Sequence, residues 1–160
     1  MPLPQANARC ADGLACRTIA KDLAFGAGSY AVPSAGTASF SFAVALAPHS
    51  PSTYVGQLNV ITPGRWWFEG NVTSYAKTGT GHGLLAGTGS LYSWNSTLDR
   101  GHGGWQLVKA GVTCNATANA ASKTTSASFG FDIAYTPTSG QPALPSTSPI
   151  ALSRGGIFIT

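Results

Sequence analysis

Between Arg65 and Trp94 the chain alternates apolar and polar positions with a period of two, broken once by a glycine-rich stretch. Trp66, Phe68, Val72 and Ala76 fall on one side of this repeat, and Trp67, Glu69, Asn71, Thr73, Tyr75 and Lys77 fall on the other. Side chains on a strand point to alternate faces, so the pattern predicts a hairpin with one face for a core and one for water, turning over Thr78 to Gly83.

Similar segments flank it. TASFSFAVALA sets Phe40, Phe42, Val44 and Leu46 against Ser39, Ser41, Ala43 and Ala45, and YVGQLNVIT runs to the turn signal Thr62-Pro63-Gly64. WQLVKAGVTCNATA alternates again, with Val108, Val112 and Cys114 on one side and Trp105, Leu107 and Lys109 on the other. SFGFDIAYT aligns Phe129, Phe131, Ile133 and Tyr135, with Asp132 opposite them. LAFGAGSYAV reads as a first strand interrupted by Gly26 and Gly28, and GGIFIT as a closing one. Many short strands between turn signals, with no helical repeat of ordinary length, predict an all-β fold. The expected form is an antiparallel β-sandwich, jelly-roll or immunoglobulin-like, of about seven to nine strands with little helix. Residues 1–22 lack periodicity and read as an arm or linker, which leaves 23–160 as a single domain.

Composition narrows the function classes. Only 9% of residues are charged, against roughly 25% in an average soluble domain, so Ser, Thr, Asn and Gly, or attached sugar, must supply solubility. The net charge of +4 comes from scattered Lys and Arg with no basic cluster or basic helix, which argues against nucleic acid. No run approaches the ~18 apolar residues of a membrane-spanning helix, and MPLPQANARC lacks the apolar core of a secretory signal. The expected location is extracellular or at the cell surface, with any signal peptide outside this sequence.

The order FSFAV, GQLNVI, WFEGNVTSY, GTGSLYSW and FGFDIAY, over about residues 23–136, resembles accessory β-sandwich modules of secreted bacterial multidomain proteins, named post-COAP-1-like regions. The resemblance implies an accessory role and no catalytic residues. The chain departs from that pattern in its Trp66-Trp67-Phe68 cluster and in its Pro-rich ending followed by a further strand.

Candidate chemistry is sparse. Trp67 and Tyr75, with Glu69 between them, share the outward face of the hairpin, and aromatic rings beside amides and carboxylates suit a sugar-binding platform. Asn71, Asn95 and Asn115 begin Asn-x-Ser/Thr sequons and are candidate glycosylation sites. Cys10 and Cys16 flank a short ADGLA segment and are the candidate disulfide, while Cys114 reads as a buried thiol. Three Cys and three His never fall at ligand spacing, so no metal and no cofactor is expected.

Among five carboxylates, Glu69 and Asp132 are the one pair worth testing for two-carboxylate hydrolysis, and Asp99 with His102 is the one acid–base pair. The leading expectation is a noncatalytic extracellular structural or interaction module whose partners are other protein chains or itself. A low-charge β surface with little to discourage edge pairing also suits self-assembly. The alternatives are a carbohydrate-binding module with a glycan partner and a secreted hydrolase.

Overall fold

A computed structural model of the chain describes residues 23–33, 36–136 and 148–160. Eight strands follow in order: β1 (Leu23–Val32), β2 (Gly36–Leu46), β3 (Tyr54–Thr62), β4 (Trp66–Gly79), β5 (His82–Asn95), β6 (Gly104–Asn119), β7 (Ser128–Ile133) and β8 (Ile150–Ile159). The one helical element among them is a three-residue 3-10 turn, Asp99–Gly101. No helix of the described residues is long and apolar enough to cross a membrane. The arm over 1–22, with Cys10 and Cys16, lies outside the described residues.

The all-β antiparallel class and the strand count hold, but the architecture is one closed barrel in the order β1 to β8 where the sequence suggests a two-sheet sandwich. Each strand pairs with its sequence neighbour, and β1 closes the ring against β8 from Ala24↔Ile159 to Tyr30↔Leu152. A barrel and a sandwich impose the same in/out alternation on a strand. What separates them is pairing between chain ends, which alternation does not encode.

The described interior holds one apolar cluster. Phe40 and Phe129 stack with ring centroids 4.0 Å apart and planes 3° apart, Tyr30 and Phe42 pack around them, and Phe68 and Phe131 pair with each other in the same core. Aromatics from β1, β2, β4 and β7 converge on a shared core, as an eight-stranded barrel permits. Glycine permits the close strand approaches that closure needs. Gly155 takes a left-handed φ of 96° and lies so near β1 that a Cβ there would strike the Ala27 carbonyl oxygen. Gly87 on β5 is pressed in the same way against the Asn71 carbonyl oxygen of β4.

One prediction about β4 fails. Trp66, Phe68 and Val72 point inward as expected, but Tyr75 is buried and Ala76 is exposed, the reverse of the sequence alternation. The cause is a bulge: the β4–β5 register shifts between Val72 and Ser74. An extra residue there reverses the facing of every later side chain. Tyr75 is thereby turned into the barrel, edge-on to Tyr54 at 5.6 Å. It is withdrawn from the outer platform proposed for it.

Candidate functional site

The outer wall of β3 to β6 carries a graded surface built in cross-strand rows. Nearest the β5–β6 loop is the pair Trp94↔Trp105, followed by the row Ile61↔Trp67↔Tyr92↔Leu107. Trp67 and Tyr92 stack at 4.8 Å and 23°, Trp105 meets Trp67 edge-on at 6.0 Å, and Trp94 meets Trp105 edge-on at 5.3 Å. Outside the core, these four aromatics form a connected shelf that leaves Trp94 38% and Leu107 53% exposed. Trp94 lies over the backbone of Gly103, which returns from the loop on left-handed φ values at Asp99, Arg100, Gly101 and Gly103.

Below the shelf the wall becomes polar. Asn59↔Glu69↔Ser90 form one row and Gln57↔Asn71↔Thr88 the next. These six side chains rim a half-open depression of about 250 Å³ whose floor includes Gly70 and Gly89. No hydrogen bond or ion pair among the described residues engages any of the six. Their donors and acceptors are therefore available to a ligand. The depression shares Gln57 and Asn71 with a second, more open and less polar groove of about 460 Å³, bounded by Leu23, Ala43, Ala45, Val55 and Gly56.

Of the sequence-derived binding residues, Trp67 and Glu69 lie on this surface and Tyr75 does not. Tyr92, Trp94 and Trp105 were missed as a group. Tyr92, Trp94, Thr88 and Ser90 share one phase of the β5 alternation, but only strand pairing sets them beside Trp67 and the Glu69 row.

The sequons diverge. Asn71 is exposed within the polar depression and Asn115 is exposed on β6. Asn95 is committed: its Oδ1 accepts from Thr97 N at 3.0 Å and Thr97 Oγ1 at 2.7 Å, and its Nδ2 donates to Gln106 Oε1 at 3.0 Å.

The candidate hydrolytic pairs do not assemble. Asp132 sits in the row Ser74↔Ala86↔Asn115↔Asp132, three strands from Glu69 and several residues further along. At ~4.8 Å per strand and ~3.4 Å per residue, the two carboxylates are on the order of 15–20 Å apart, beyond the ~5–10 Å that glycoside hydrolysis uses. Asp99 and His102 meet only through their backbones, His102 N donating to the Asp99 carbonyl oxygen at 3.1 Å. His82 Nδ1 instead pairs with Asn119 Oδ1 at 2.7 Å, and Asn119 Nδ2 donates to Ser128 Oγ at 2.9 Å, so an amide separates the imidazole from the hydroxyl.

Cys114 is fully buried opposite Gly87, and desolvation pushes its thiol up from about 9 to about 11. It stays a protonated thiol at neutral pH, packed as a small apolar group rather than acting as a nucleophile. Among the described residues no group of three or more His, Cys, Asp or Glu is placed to hold a metal ion.

No family model, curated protein or solved structure matches this chain.

Proposed function

We propose that the chain is a noncatalytic extracellular module that binds glycan through the outer wall of β3 to β6. The observation that carries this is the adjacency of the Trp67–Tyr92–Trp105–Trp94 shelf to six uncommitted amide, hydroxyl and carboxylate groups. A pyranose ring presents apolar C–H faces and a polar rim of hydroxyls. Aromatic faces bind the first, and side chains with free donors and acceptors bind the second. Isothermal titration against a panel of soluble polysaccharides tests the reading. Trp67→Ala and Tyr92→Ala are expected to weaken binding by at least about tenfold, ~1.4 kcal/mol, while the far-ultraviolet dichroism stays native. Binding that is absent across the panel, or unchanged in both variants, would refute it.

A second reading, self-association, is favoured by the outer face of β8, β1, β2 and β3. Phe25 and Phe158 stack there at 5.1 Å while remaining 46% and 50% exposed, beside Ala43 and a 51% exposed Val55. This uncharged patch suits a second copy of the chain. Sedimentation velocity is expected to show a concentration-dependent dimer that Phe25→Ser abolishes. A monomer at all concentrations would exclude it.

A further inference from the structure

Resting on the glycan reading, we infer that the ligand is an extended, neutral polysaccharide bound along its length, through internal segments rather than through a chain end. The first argument is shape. From the Trp94 row to the Thr88 row the strip runs six residues along β5, about 20 Å at ~3.4 Å per residue, so it is a track rather than a socket. It continues past the polar rows, because the depression there shares Gln57 and Asn71 with the adjoining groove beside Ala43, Ala45 and Val55. Recognition of a chain end needs a wall that closes around the terminal ring. Among the described residues the side chains at this exit are leucine, alanine and valine beside the glycine backbone, and none of them closes the groove.

The second argument is chemistry. The polar rows offer three amides, two hydroxyls and a single carboxylate, Glu69, and the shelf beside them is aromatic. Amides and hydroxyls both donate and accept, matching the hydroxyls of a neutral sugar. A uronate or sulfate group laid in the same rows would face the Glu69 carboxylate with no cation among the lining residues to offset it. The graded order, aromatic and then polar, also gives successive rings along one chain different contacts, so affinity accumulates with length.

The test is a length series by isothermal titration, using size-graded oligosaccharides prepared from whichever neutral polysaccharide the panel identifies, each with a native or borohydride-reduced end. Affinity is expected to rise by at least about tenfold from disaccharide to hexasaccharide. It is expected to be insensitive to end reduction at the hexamer. The free monosaccharide is expected not to displace the polymer at millimolar concentration. A monosaccharide that competes as well as the hexamer, or a hexamer that loses its affinity on end reduction, would overturn binding along the chain while leaving glycan binding intact. Binding confined to anionic polysaccharides would overturn neutrality. Failure of every polysaccharide would instead remove the reading on which the inference rests.

Discussion

Trp66 and Trp67 are neighbours in sequence and occupy opposite surroundings. Trp66 is 2% exposed, enclosed in the barrel with its ring 6.1 Å from Phe131 and nearly parallel to it. Trp67 lies outside, stacked on Tyr92 and touched edge-on by Trp105, with part of its surface open to solvent. The contrast extends along β4 and β5. Their inner wall is Phe68, Val72, Leu85 and Leu91, all buried, and their outer wall is Glu69, Asn71, Thr88 and Ser90, which line the polar depression. An aromatic whose faces are consumed by neighbours specifies the fold, whereas one held in place yet partly uncovered is ready to meet a ligand. The same residue type does both jobs one position apart because the strand repeat is two.

The largest expected effect tests that division. Trp66→Ala removes a fully enclosed ring, and its cost should be about 3–5 kcal/mol in a urea unfolding experiment. Trp67→Ala gives up a stacking contact worth ~0.5–1.5 kcal/mol beyond the burial of a partly exposed ring, and should cost clearly less than Trp66→Ala. If the two losses came out equal, the outer shelf would be part of the stabilising core and its claim as a binding surface would fall.

Much of the inner wall was readable from the chain. Phe40, Phe42, Val44, Trp66, Phe68, Phe129 and Phe131 all point where their alternation sends them, since burial forces a two-residue pattern on each strand independently. Two things were not readable. The bulge after Val72 inserts one residue in a β4 segment without glycine or proline, and the glycine opposite it, Gly87, lies on another strand, so alternation alone puts Tyr75 on the surface. Ring closure between β1 and β8 joins positions more than a hundred residues apart and leaves no local mark, so a barrel read as a sandwich. The candidate site was half legible for the same reason. Trp67 and Glu69 lie on one strand and could be read together, whereas Tyr92, Trp105 and the amides of β3 join them only through strand register.

The smallest expected effect probes the one place where the inner wall departs from its apolar rule. Thr62 and Trp66 are register partners at the end of β3 and the start of β4, and both face inward. The Thr62 hydroxyl and the Trp66 indole nitrogen are buried with no hydrogen-bond partner among the described residues. A hydroxyl withdrawn from water without a partner is a standing cost, and valine has nearly the same shape without it. Thr62→Val should therefore stabilise the barrel, by about 1 kcal/mol in urea unfolding, with glycan affinity unchanged because the outer wall is untouched. A loss of stability of similar size would mean that a water bridges Thr62 Oγ1 and Trp66 Nε1. The inner wall would then be polar by construction at this end, and the boundary between packing and binding surfaces would lie at the Thr62–Trp66 row rather than between the two faces of β4.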